Sequence, residues 1–154
     1  MFYIGIDPGA SGGIAVITPS KTVVVAMPPT ERDIWVFISK IVYRSDGECV
    51  AVIENVHSMP GQGVSSSFKF GQGFGGLRMA LTAVGIPFDL VSPQKWQKTL
   101  GVVPRTRTET KTSHKNKLKA MAQRQFPQLK ITLKTADALL IALYCKRTRE
   151  NALK

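Results

Sequence analysis

Three acids stand where acids are unexpected. Asp7 ends the apolar run FYIGID, Glu54 ends VAVIE, and Asp137 falls in the first turn of the helix that ADALLIALY is expected to form. Taken singly, each has an ordinary explanation. Asp7 can accept hydrogen bonds from turn amides. Glu54 can be a surface charge at a strand end, and Asp137 can answer a helix dipole. Taken together these explanations weaken, because the chain has only ten Asp and Glu and the others fall in polar or loop context. Clustered carboxylates repel, and each carries a raised pKa unless a cation neutralises it. Hard oxygen ligands with open positions suit Mg²⁺ or Mn²⁺. Two such ions roughly 3.5–4 Å apart can clamp an in-line displacement at phosphorus. A second chemistry fits the first stretch alone. In IDPGASGG the glycines could cradle a phosphate, with Asp7 assisting.

The elements that would position these acids can be read from periodicity. Phe2 to Asp7, Gly12 to Ile17 and Val23 to Met27 read as three strands joined by short turns, hence antiparallel. Pro28 and Pro29 break the chain, and Thr30 with Asp33 forms a weak capping box. Ile34, Phe37, Ile38, Ile41 and Val42 follow at helical spacing. Val50 to Glu54 is a strand. Residues 57–76, with six glycines and four serines, read as a mobile loop leading into a helix through Leu77, Ala80, Leu81 and Val84. Ile86 to Val91 is a strand, and Pro93 starts a short helix that carries Trp96. Residues 102–116 read as a basic, Thr-rich loop, followed by a basic helix to about Phe126. Thr135 is expected to cap the last helix. Strands reached through helices are normally parallel crossovers. The order therefore predicts an α/β architecture, a five-stranded mixed β-sheet flanked by α-helices, as in the ribonuclease H-like fold. The first strand is then central, and Asp7 and Glu54 end neighbouring parallel strands at one edge.

Length fits one domain over 1–154. Charge narrows the partner. The formal net charge is +11, and it is one-sided: residues 1–94 carry 6 Lys and Arg against 7 Asp and Glu, whereas 95–154 carry 15 against 3. Such a field suggests a polyanion, above all nucleic acid. An anionic membrane fits less well, because the basic half lacks an apolar face with interfacial aromatics. No apolar run approaches membrane-spanning length. The N-terminal residues lack the pattern of a signal peptide. Cys49 and Cys145 have no partner motif, which argues against a zinc site or disulfide framework and for a reducing, intracellular setting.

Five stretches resemble the RuvC-type Holliday junction resolvases, and especially their compact bacteriophage-type members: IGIDPGASGGIAVI, AVIENVHS, GQGFGG, SPQKWQK and ADALLIALY. They are in family order with family spacing and cover most of the chain. The resemblance implies a homodimeric, Mg²⁺-dependent endonuclease, with Mn²⁺ an alternative and two ions per site. It would nick two opposing strands of a four-way DNA junction symmetrically, in a bacterial cell or a phage-infected host. Asp7, Glu54 and Asp137 fall on the family's catalytic, metal-binding carboxylates. His57 stands where members place an aromatic that stacks on bases. Lys115 matches a lysine near the scissile phosphate, and Lys95 or Lys98 matches another. Gly71, Gln72 and Gly75 would open a helix that members use near the DNA and the dimer interface. Arg105, Arg107, Lys111 and Lys134 complete the set of expected DNA contacts. One departure stands out: where the family commonly has a fourth acid, three residues before the last aspartate, this chain has Lys134. That puts the number of metal ions in question.

Three rivals remain. The DPGASGG stretch loosely resembles the phosphate loop of actin-like ATPases and sugar kinases. Those need a second lobe, and no Walker GxxxxGK[ST] occurs, so no nucleotide cofactor is expected. A non-catalytic branched-DNA-binding protein is suggested by Lys134 but leaves the clustered acids without a purpose. A nuclease for flaps, forks or RNA–DNA hybrids would use the same fold.

Overall fold

The computed structural model describes residues 1–56 and 63–152. Strands β1 (Phe2–Asp7), β2 (Gly13–Ile17) and β3 (Thr22–Ala26) lead to helix α1 (Glu31–Ser45). Strand β4 (Cys49–Glu54), helix α2 (Val64–Ala83) and strand β5 (Phe88–Val91) follow, then α3 (Pro93–Thr99), α4 (Lys111–Gln125) and α5 (Ala136–Ala152). The sheet runs β3-β2-β1-β4-β5. β1 is antiparallel to β2, and β2 to β3. β4 lies parallel to both β1 and β5. The mixed five-stranded sheet and central first strand are those expected from the element order.

Apolar side chains alternate between two cores. Ile4 and Ile6 of β1, with Ala51 and Ile53 of β4, pack with Ile38, Leu77 and Leu81 of α1 and α2. Tyr3 of β1, with Val50 and Val52 of β4, packs with Trp96, Leu118 and Leu139 of α3, α4 and α5. Side chains along a strand alternate faces with period two. Asp7 therefore shares the face of Tyr3, and Glu54 shares that of Val52. Both acids turn toward the α3–α4–α5 side. The parallel register ends on the pair Ile6 and Ile53, so the two acids come one step later at matching heights.

The last helix is brought onto this face by a missing side chain. A Cβ at Gly5 would collide with the backbone N of Ala142 and the carbonyl O of Ala138. Helix α5 thus lies directly on the backbone of β1, which sets Asp137 over the strand end.

Thr30 caps α1 as expected. Its Oγ1 accepts from the amide of Asp33 at 3.1 Å and donates to Asp33 Oδ2 at 2.7 Å. Three local readings need correction. Residues 64–76 are helix, not loop, so α2 starts well before Leu77. Each glycine in a helix costs roughly 1 kcal/mol relative to alanine. Tertiary burial of Leu77, Ala80 and Leu81, together with stacked Phe70 and Phe74 at 6.1 Å, offsets that cost. Helix α4 begins at Lys111, inside the stretch read as loop, because Thr110 Oγ1 accepts from the amide of Ser113. Thr135 does not cap α5 through its side chain. Its hydroxyl folds back on Thr132, accepting from that residue's amide and donating to its carbonyl.

Both cysteines are buried and free. Burial pushes the Cys145 thiol up to about 12, which makes it an inert core group. Among the described residues, no helix is long and apolar enough to cross a membrane.

Candidate active site

Asp7 leaves the end of β1 and the chain turns at once. A Cβ at Gly12 would collide with the carbonyl O of Asp7 and stand 3.0 Å from its Cγ. The glycine thus lets the returning strand pass directly behind the acid. That gives the glycine turn a structural purpose without any phosphate. Glu54 ends β4 and is only 8 % exposed. Asp137 stands in the first turn of α5 and is half-buried.

Burial raises all three carboxylates, and charge links them. Burial, then Asp137 and Glu54, push Asp7 up to about 8, against the pull of Lys115. Burial, assisted by Asp137, pushes Glu54 up to about 7, opposed by the hydrogen bond from Trp96 and by Lys115. Burial also raises Asp137, and Lys115 and His114 lower it. Asp7 thus lies within charge reach of both Glu54 and Asp137, Glu54 within reach of Asp137, and Lys115 acts on all three. Among the described residues no three His, Cys, Asp or Glu side chains form a ready-made metal cage. The acids are coupled by charge and are not closed into one ligand set. Their chemistry, three hard carboxylates destabilised by mutual proximity and burial, fits a hard divalent cation.

A pH dependence follows from these directions. Asp7 and Glu54 bind protons more tightly in the fold than in the unfolded chain, whose values are near 3.8 and 4.5. Their protonation favours the fold fully below those values, and the advantage is lost as pH rises through about 7 to 8. In EDTA the melting temperature is expected to fall between pH 5 and pH 9. A melt that does not change over that range would contradict the burial of these acids.

The expected DNA contacts divide into two groups. Among the described residues, Lys115, exposed on α4, is the one whose charge acts on all three acids. Lys95 and Lys98 on α3, Arg105 and Arg107 between α3 and α4, Lys111 at the start of α4, and Lys134 just before α5 are all exposed. Among the described residues none of these seven joins an ion pair. Lys134 presents its backbone carbonyl toward Gly13, where a Cβ would stand 3.0 Å from it. Gln72 is exposed in the middle of α2, not at its opening. His57 lies outside the described residues.

Sequence reasoning left two contacts unassigned. The indole Nε1–H of Trp96 donates to Glu54 Oε1 at 2.8 Å. The neighbouring Gln97 Oε1 accepts from His114 Nε2 at 3.0 Å, which ties α3 to α4 one residue from Lys115. The signal for the first was a tryptophan in the otherwise polar stretch SPQKWQK, since a buried indole needs an acceptor.

The strand order and the helices on both faces define a ribonuclease H-like fold. Within that class the chain has the fold of RuvC. It matches Thermus thermophilus RuvC in complex with a Holliday junction substrate at a TM-score of 0.66 and 19 % identity, over 98 % of this chain and 96 % of that one. It matches a second Thermus thermophilus RuvC structure at a TM-score of 0.67 and 18 % identity, over 99 % and 97 %. At such identity the likeness is one of fold. No protein-family model and no curated protein matches the chain.

Proposed function

We propose that residues 1–154 form one metal-dependent endonuclease domain that resolves four-way DNA junctions by symmetric paired nicking. What supports the reading is the charge coupling of Asp7 to Glu54 and Asp137, with Lys115 acting on all three, in a chain with the fold of RuvC. Asp7, Glu54 and Asp137 would hold Mg²⁺, or Mn²⁺, which would supply water activation and charge stabilisation at the leaving 3′-oxygen. With Lys134 in place of a fourth acid, phosphate and water would complete the shell of a second ion. Lys115 would hold the scissile phosphate against the acids. His57 would stack on bases at the junction centre.

The exposed lysines and arginines give this edge its affinity for DNA. Lys95, Lys98, Arg105, Arg107, Lys111 and Lys134 would bind phosphates of the arms, and Gln72 would bind DNA from α2. Such contacts weaken with salt, by roughly 0.9 log units of affinity per log unit of salt for each phosphate neutralised.

A homodimer matches the symmetric substrate, and α2 offers the surface. Val64, Phe68 and Met79 are 88 %, 66 % and 65 % exposed. With Gly71 and Gly75 they recur at spacings of three and four, which places them on one helix face. A Cβ at either glycine would meet nothing within 4 Å among the described residues. The interior of one copy therefore does not require them, whereas close approach of a second α2 would. The setting that fits this function is a bacterial cytoplasm, as a phage-type enzyme.

A panel of labelled four-way junction, flap, linear duplex and RNA–DNA hybrid, each with Mg²⁺, Mn²⁺ or EDTA, tests the reading. The junction should be cut at least about tenfold faster than the other substrates, a difference of about 1.4 kcal/mol in barrier, and only with metal. Preferred cutting of the flap or hybrid would assign a different substrate to the same site. Junction binding without cutting would make the chain a branched-DNA-binding protein.

A further inference from the structure

Among the described residues, Trp96 is the one large aromatic wholly removed from solvent, at 0 % exposure, and it sits in a helix of only seven residues. That helix is built to aim it. Ser92 caps α3 by accepting from the amide of Lys95, and Pro93 occupies the first turn. An indole N–H donates and cannot accept. Its acceptor here is Oε1 of Glu54, 42 residues earlier and on another element. An ordinary core tryptophan could have satisfied itself on a backbone carbonyl. This one is spent on a carboxylate of the acid cluster.

The terminal torsion of a glutamate is broad, so an unrestrained carboxylate presents either oxygen in many orientations. One fixed donor on Oε1 removes that freedom and leaves Oε2 open. Carboxylates that ligate metals are commonly oriented in this way by a hydrogen bond from a residue that does not itself touch the metal. Resting on the reading of Glu54 as a metal ligand, we propose that Trp96 is a positioning residue. It fixes the rotation of the Glu54 carboxylate, so that Oε2 is presented to the divalent cation before the cation binds.

The test uses the whole chain and needs no DNA. Mn²⁺ binding is measured by calorimetry for three proteins: a W35F parent, the same protein with E54Q, and the same protein with Trp96 replaced by β-(3-benzothienyl)alanine. Trp35 is half-exposed on α1 and away from the acids. The benzothienyl group keeps the bicyclic shape and replaces N–H with sulfur. The isostere is expected to bind Mn²⁺ about 10–100-fold more weakly. Its melting temperature in EDTA should fall by no more than the loss of one buried hydrogen bond gives, and its junction affinity in EDTA should match the parent, a pattern that disrupted packing would not produce. Parent-like Mn²⁺ binding by the isostere, with binding lost in E54Q, would leave the metal reading intact and reduce Trp96 to core packing. Parent-like binding by E54Q would remove Glu54 from the metal site and overturn both. The W35F parent gives a check that survives any failure of the isostere to fold. Its single indole N–H resonance should shift on titration with Mg²⁺, and a resonance indifferent to Mg²⁺ would overturn the proposal.

Discussion

Asp7→Asn is expected to abolish junction cleavage, by at least about a thousand-fold, while junction binding in EDTA is retained. The magnitude follows from the several kcal/mol of charge stabilisation attributed to a catalytic metal, since each 1.36 kcal/mol is tenfold in rate. Asparagine preserves the shape behind which Gly12 passes, so the fold has no steric reason to fail. The same change should stabilise the metal-free protein. Burial and two neighbouring acids make the charged form of Asp7 unfavourable, and asparagine removes that charge. At pH 8 in EDTA the variant should melt roughly 5 °C above the parent, a size that about 1–2 kcal/mol gives for a domain of this length. Loss of activity with higher metal-free stability marks a group kept for function and not for folding. Parent-like cleavage would remove Asp7 from the metal site. A lower melting temperature would mean its charge is already compensated within the chain.

Gly5→Val should destabilise the fold by about 3 kcal/mol or more, the upper end of the usual cost of overpacking. The reason for the upper end is what the new side chain meets. It would strike the backbone of Ala138 and Ala142, which cannot rotate away, so α5 itself would have to move off β1. For a chain of this size the melting temperature should drop by roughly 6–12 °C. Asp137 is adjacent to Ala138 and would move with the helix, so the folded fraction should also cut poorly. Urea denaturation and cleavage per folded molecule separate the two effects. A valine variant with parent-like stability would mean that α5 does not lie on β1 as described.

These two glycines show what sequence reading could and could not reach. The strand order, the central place of β1 and the shared edge of Asp7 and Glu54 follow from short turns, helical crossovers and period-two alternation. All are local patterns. The glycine turn after Asp7 was open to a phosphate-cradle reading, because only the approach of Gly12 to the back of Asp7 shows its structural use. Helix α2 was hidden for a related reason. Glycine and serine are poor helix formers, and the burial that rescues the helix is tertiary. The start of α4 was masked by threonines that suit both loops and caps, and Thr110 proved to be a cap. The Trp96–Glu54 hydrogen bond joins residues 42 apart through a parity shared by β4 and the α3 side of the sheet. No window of sequence contains it. Among the basic residues, the charge pattern marks out residues 95–154 as a group, but only the structure shows that Lys115, exposed like the others, acts on all three acids.

The central claim is that the acid cluster cuts both sides of a junction. The most direct test is a nick-mapping gel in which each of the four strands of a junction is end-labelled in turn and incubated with the protein in Mg²⁺, Mn²⁺ or EDTA. The account predicts nicks on two opposing strands at symmetry-related positions, dependent on metal and absent with Asp7→Asn. An intact junction in every metal, although the protein is bound to it, would contradict the account.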